Sequence, residues 1–400
     1  MNDKKIIYLD NACTSFPKPE SVSNAMCDFI KNKGVNISRS SYSLSFDALD
    51  MVYNTRKKLN DLFNGDSPNN VVFTKNITES LNIIIKGYVY KKNENKTNKK
   101  IHILTSSLEH NSVMRPLHDL KNENLIDFDR IPCDEYGALL IDEIEKMINP
   151  NTELLIIQHA SNVIGIINPL FEIGQICIKH NVNLIIDSAQ SAGLLDIDMK
   201  KFNIKALCFT GHKSLLGPQG VGGFLLTNEM VPKIKNLFSG GTGSISNSEE
   251  QPSFMPDKFE SGTMNIPNII GLYEGISFIE KIGKENILNK EQELFHHFLD
   301  GLYKLDKKIK IHGINKNLIN DNTMHNLAVI SISSLTMDNA KLSYILANEY
   351  NILTRVGLHC APNAHKMLYT FPLGTVRFSI GYFNTFDDIN KTLLALSEIE

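Results

Sequence analysis

Long apolar runs are missing from this chain of 400 residues. No stretch approaches the roughly 20 apolar residues that a membrane span requires. The N-terminus, MNDKKIIYLD, reads as a short strand and not as an export signal. Charge of one sign is missing too: the formal net charge is −3, too little to gather nucleic acid or an anionic membrane. Cysteine is sparse and scattered, at positions 13, 27, 133, 177, 208 and 360, with no CxxC pair. That argues against a structural zinc site or a disulfide framework. Cys177 and Cys208 lie in apolar segments and are expected to be inert core residues. No internal repeat is found. The runs GGTG and GPQGVGG fit neither GxxxxGK[ST] nor a GxGxxG that opens a helix after a strand, which disfavours a nucleotide-binding protein of those types. What is present is ordinary for a soluble globular protein, 42% apolar and 21% charged. The length suits one large domain with a smaller one, and the cytoplasm is the expected compartment.

Through the middle of the chain, strand-like apolar runs alternate with helical spacing. The expected strands are NVVFT near Val72, KIHILTS near Ile103, ELLIIQHAS near Ile156, NLIID near Ile185, ALCFTG near Cys208 and GGFLLT near Leu225. LNIIIKGYVY, SVMRPLHDLKN and PLFEIGQICIKH are the helices between them. Such alternation argues an α/β fold with a mainly parallel sheet covered by helices. KNENKTNKK and SISNSEEQPSFMPD read as solvated loops. From about Ile276 the pattern changes to one long amphipathic helix, ISFIEKIGKENILNKEQELFHHFLDGLYKL, followed by strands LAVISIS and TVRFSIG. This reads as a second, smaller α+β domain.

Chemistry gathers at the strand ends, where ligands bind in α/β sheets. VNLIIDSAQ puts Asp187 just past one strand, and ALCFTGHKSLLGPQGVGGFLL puts Lys213 just past the next. A lysine that bonds an aldehyde and a carboxylate that holds a pyridinium nitrogen are the two groups pyridoxal phosphate most needs. An ordinary βαβ pair with a surface lysine is the plain alternative. The neighbours weigh against it: His212 and Gly211 precede the lysine, and Gln190 stands at an expected helix start. VVFTKNITESLNIII runs strand, turn, helix, with Asn76 as N-cap and Glu79 completing a capping box. Free N–H groups at such a helix start attract an anion, so Ile77 N–H and the Thr78 hydroxyl are placed to hold phosphate; by spacing alone it is a capped helix. His110, after Glu109, and Asn162 each follow a strand, and each is also readable as a structural histidine or a turn asparagine. Cys360, in RVGLHCAPNAH, lies on a glycine-containing loop. Arg355 or a protonated His359 nearby would favour its thiolate, with a buried structural cysteine as the alternative. Arg377 is an odd charge in the apolar strand TVRFSIG, suited to a carboxylate or to a salt bridge.

Together, YLDNACTS at Tyr8, DSAQ, TGHK, RVGLHCAP and RFSIGYFNT ending at Thr385 resemble the class V aminotransferase family. The resemblance is to its cysteine desulfurase branch with a short loop before the active cysteine, and it covers nearly the whole chain. It implies the fold type I of pyridoxal-phosphate-dependent transferases: an α/β large domain over 15–270 with a mostly parallel seven-stranded sheet. A small α+β domain, from 1–14 and 271–400, would carry the cysteine loop. It further implies that Lys213 bonds the cofactor and moves the substrate Cα proton, and that His110 stacks on the ring and assists proton transfer. Asp187 would hold the ring nitrogen, Gln190 the phenolate, and Thr78, Thr210 and His212 the phosphate. Asn162 would reach the phenolate or the substrate carboxylate, Arg377 and Arg355 would bind substrate, and Cys360 would take up sulfur as a persulfide. FESGTMNIPNI would carry Thr263 to the partner subunit's cofactor phosphate in a homodimer. Relatives often show Gly-Thr-Thr where this chain has KNIT. The implied reaction turns L-cysteine into L-alanine and passes sulfur to a protein acceptor, with no metal. Selenocysteine lyase is the nearest alternative. An aminotransferase or epimerase of the same family is another, against which Cys360 argues, since transamination needs no protein thiol.

Overall fold

The computed structural model describes residues 5–37, 41–94, 100–245, 247–315 and 324–399. Most of the expected loop at 92–100, and one residue of that at 244–257, lie outside the described residues. In chain order the strands are β1 (Ile7–Tyr8), β2 (Val71–Thr74), β3 (Ile101–Ser106), β4 (Ile126–Ile131), β5 (Thr152–Gln158), β6 (Asn183–Asp187), β7 (Ile204–Thr210), β8 (Gly222–Leu226), β9 (Ile309–His312), β10 (Val329–Ser334), β11 (Ile352–Leu353), β12 (Arg355–Gly357) and β13 (Thr375–Ser379). The helices are α1 (Glu20–Asp28), α2 (Ser43–Phe63), α3 (Ile77–Asn93), α4 (Asn111–Asn122), α5 (Ile141–Met147), α6 (Leu170–His180), α7 (Ile266–Ile282), α8 (Lys284–Tyr303), α9 (Asn339–Glu349), α10 (Pro362–Met367) and α11 (Phe386–Glu398).

A seven-stranded sheet of order β2-β8-β7-β6-β5-β3-β4 forms the centre. The five strands from β7 to β4 run parallel, and β8 and β2 add antiparallel pairings at one side. β3, β5, β6 and β7 carry almost wholly buried residues, as strands covered on both faces must. One apolar cluster holds residues of α3 and α4, and another those of α2, α6 and α7. β4 has no counterpart among the strands read from the sequence. It is the sheet edge, and its alternation of buried Ile126 and Phe128 with exposed Asp127 and Asp129 dilutes the apolar signal.

A four-stranded antiparallel sheet, β12-β13-β10-β9, carries the C-terminal part. Its apolar face packs with α8 and α11 in a third cluster, in which Phe298 and Phe378 meet edge to face at 5.2 Å. Truncating such a ring costs about 3–5 kcal/mol. β1 pairs with β11 beside this sheet. The single long helix expected after Ile276 is two helices, α7 and α8, broken at Gly283 with φ 89° and ψ 122°. Only glycine adopts that backbone at little cost. The apolar periodicity runs through the break because both helices bury a face.

Candidate active site

Parallel strands deliver their C-terminal ends to one edge of a sheet, and that is what assembles this site. β3 ends at Ser106 and leads to Glu109 and His110; β5 leads to Asn162; β6 ends on Asp187; β7 ends on Thr210 and turns through Gly211 into His212 and Lys213. The charge of Lys213 acts on both Asp187 and His110, and those of Arg377 and Arg355 reach His110 and Lys213. The structure therefore brings these expected site residues together.

Burial sets their protonation. It pushes Lys213 down to about 8, against the opposing pull of Asp187, and raises the Asp187 carboxyl, whose Oδ1 accepts the Ala189 N–H at 2.9 Å. His110 falls to about 4, through burial first and then the Lys213 charge. Its Nδ1 accepts the Ser112 N–H at 3.0 Å as the N-cap of α4. The neutral ring therefore keeps its proton on Nε2, turned to donate. The preceding Glu109, fully buried, accepts from Ser106 Oγ at 2.6 Å and from Gln158 N–H at 3.0 Å, and burial raises it to about 8.

Several buried polar atoms at this edge have no partner among the described residues: Thr210 Oγ1, His212 Nδ1, Asn162 Oδ1 and Arg377 Nε. Each such group costs about 1–3 kcal/mol when left unpaired, so their concentration marks a place built for a polar ligand. The start of α3 lies close by. Gly222 of β8 lacks a side chain where a Cβ would meet Asn76 Cα at 2.9 Å. Asn76 caps α3, with Oδ1 accepting the Glu79 N–H at 3.0 Å, which leaves Ile77 and the exposed Thr78 at the open helix end. The expected capping box is displaced by one residue: Glu79 accepts from Lys75 N–H and not from the cap.

The structure corrects three expectations. Gln190 is in a turn and starts no helix; its amide donates to Ala12 O at 3.0 Å. His359 cannot supply positive charge to Cys360. It is buried, donates to or accepts from Thr375 Oγ1 at 3.1 Å, and burial with the nearby Arg377 charge holds it down at about 2. Arg355 turns toward a different thiol: its Nη1 donates to Cys13 Sγ at 2.9 Å. Cys360 itself is exposed. Its carbonyl accepts the Asn111 N–H at 2.8 Å, and Asn162 Nδ2 donates to His359 O at 2.8 Å. His359 and Cys360 both take left-handed backbone, φ 48° and 57°. Two consecutive non-glycine residues in that region store strain of about 1–3 kcal/mol each, a mark of functional loops.

Arg377 lies on an inner strand, 2% exposed. Its Nη2 donates to Asp10 Oδ1 at 2.6 Å and its Nη1 to Asn162 O at 2.8 Å. Thr263 is exposed, and no hydrogen bond ties it to this cluster; the preceding Gly262 N–H bonds Gly241 O at 2.8 Å. Sequence reasoning missed the segment after β1. Ser15 Oγ donates to Lys213 O at 2.9 Å, Lys18 Nζ donates to His212 O at 2.7 Å, and Asp10 and Cys13 face the two arginines. The signal was available: Asp10 follows an apolar strand as Asp187 does.

The aminotransferase class-V family model matches residues 7–392. A probable cysteine desulfurase of Borreliella burgdorferi is 32% identical, over 100% of this chain and 92% of its own length. One from Pyrococcus abyssi is 31% identical, over 99% of this chain and 94% of its own. The apo structure of a cysteine desulfurase from Thermococcus onnurineus NA1 superposes with a TM-score of 0.89 at 30% identity, covering 98% of this chain and 94% of that one.

Proposed function

The chain belongs to the class-V aminotransferase family, and from that premise we propose that it is a cysteine desulfurase. It converts L-cysteine to L-alanine and holds the sulfur on Cys360 for a protein acceptor. The observation that carries this reading is one sheet edge that joins a depressed lysine, a buried aspartate and unpaired polar atoms to an exposed, strained cysteine loop.

Pyridoxal phosphate suits these residues. Thr210, His212, Thr78 and the Ile77 N–H would hold its phosphate, Asp187 its ring nitrogen, Gln190 and Asn162 its phenolate, and His110 its ring face. Bound to Lys213, it supplies the electron sink that makes the substrate Cα proton acidic. The chain's own groups do the rest. Asp187, buried at the end of β6, would keep a proton on the ring nitrogen. Lys213, lowered to about 8 by burial, takes the proton from the substrate Cα near neutral pH. Arg377 and Arg355 orient the substrate carboxylate. Cys360 gives up its thiol proton and attacks the substrate sulfur: the Cβ–S bond breaks, an S–S bond forms on Cys360, the alanine skeleton takes up a proton at Cβ, and Lys213 returns the proton at Cα. We assign His110 to assisting that proton transfer, its neutral ring hydrogen-bonding the reacting groups through Nε2–H.

We further propose a homodimer in which Thr263 serves the partner's phosphate. Exposed Phe238 and Phe254 surround its loop, a patch that a second copy would cover. Six unpaired cysteines suit the reducing cytoplasm. The test is Lys213→Ala with pyridoxal phosphate and L-cysteine: the variant folds, lacks the yellow bound cofactor, and forms no alanine. Alanine formation by that variant at the unsubstituted rate would rule out this assignment.

A further inference from the structure

Cys13 is a second thiol at this site that the reaction above leaves unused. It is half-buried and sits on a segment laced to the Lys213 turn through Ser15 and Lys18. Its Sγ accepts the Arg355 guanidinium at 2.9 Å. Arg377 Nε, fully enclosed, has no partner. A short chain of contacts links the two cysteines. His359 O, next to Cys360, accepts from Asn162; Asn162 O accepts from Arg377; Arg377 donates to Asp10, three residues before Cys13. Arg355 begins the strand that leads into the Cys360 loop. One thiol is thus held against the Arg355 cation, while the other is exposed on a strained loop.

We propose that Cys13 is a relay thiol that accepts the outer sulfur from the Cys360 persulfide, an inference that rests on the desulfurase reading. The Cys13 thiol gives up its proton and its sulfur attacks the outer sulfur atom. A new S–S bond forms on Cys13, the S–S bond at Cys360 breaks, and Cys360 leaves as a thiolate that takes up a proton. One persulfide replaces another, so no oxidant or reductant is consumed. The Arg355 cation favours the anionic sulfur that arrives beside it. The consequence is storage: Cys360 is free to react again before an acceptor arrives.

The experiment mixes holoenzyme with excess L-cysteine, without acceptor or added thiol, and quenches with an alkylating agent. Alanine in the first burst is counted per subunit, and peptides carrying Cys13 and Cys360 are weighed for an added sulfur. The relay predicts sulfur on both peptides and a burst about twofold that of Cys13→Ser, which keeps sulfur on Cys360. It also predicts no sulfur on Cys13 in Cys360→Ser. Sulfur confined to Cys360, with the same burst in Cys13→Ser, overturns the relay and leaves the desulfurase reading intact. Sulfur on Cys13 in Cys360→Ser also overturns it, because Cys13 would then attack substrate directly. No alanine from the unsubstituted enzyme overturns both.

Discussion

Arg377 shows how much a single side chain is asked to do. Its guanidinium is enclosed, bonded to Asp10 and to the Asn162 carbonyl, and still has an unpaired Nε. Arg377→Ala therefore has two effects. Breaking this buried ion pair leaves Asp10 with only the longer Arg355 contact at 3.8 Å and lowers stability by about 3–5 kcal/mol, read from a denaturant midpoint. Loss of the carboxylate partner raises KM for L-cysteine more than it lowers kcat. A stability loss with unchanged KM would make Arg377 a purely structural residue. At this scale the sequence was a good guide wherever a residue follows an apolar strand, as Asp187, His110 and Lys213 do. It could not say which side chains already have partners. The Arg355–Cys13 contact joins residues far apart in the chain, and the neutrality of His359 comes from enclosure by β13 and the cysteine loop. Neither leaves a local pattern.

Among the elements, the edge strand β12 has the closest bearing on the chemistry, because it delivers Arg355 and then the Cys360 loop. It is seated on β13 at Gly374, where φ is 73° and an added Cβ would run into the Gly357 carbonyl. Gly374→Ala must push β12 outward and shift the loop. A displacement of about 1 Å at reacting groups can cost roughly 10²-fold in rate. We expect alanine formation to fall on that order while the cofactor absorbance, which depends on the β6 and β7 ends, stays. Equal loss of both would show that the strand supports the whole site. Buried strands and capped helices were legible because their apolar periods are strong. β4 was not, since an edge strand with aspartates on its open face carries half the pattern, and the α7–α8 break was not, since one glycine does not interrupt the period.

On the scale of the whole molecule, the buried histidines dictate how stability responds to acid. Burial holds His110, His212 and His312 at about 4 and His159 at about 3, against an ordinary 6.5. Between those values the folded chain binds fewer protons than the unfolded chain, so stability falls as pH drops from 6.5 toward 4. Glu109 and Glu291, raised by burial to about 8 from 4.5, act in the opposite direction, but they are fewer. The midpoint of urea unfolding is expected to be lower at pH 5 than at pH 6.5; an equal or higher midpoint would contradict these burial assignments. The same whole-molecule view explains why the architecture could be read from sequence but its lacing could not. Alternating strands and helices declare a parallel sheet, whereas the N-terminal segment that ties β13 to the Lys213 turn is too short to show a period.

The central claim is that Cys360 takes sulfur from L-cysteine while the groups at the strand ends prepare the substrate. It is tested most directly by Cys360→Ala with L-cysteine, measuring alanine and reductant-released sulfide beside the cofactor absorbance. The account predicts that the unsubstituted enzyme yields both products in equal amounts, and that the variant keeps its yellow colour but loses both. A variant that produces alanine and sulfide as fast as the unsubstituted enzyme would contradict it and point to a C–S lyase that needs no protein thiol.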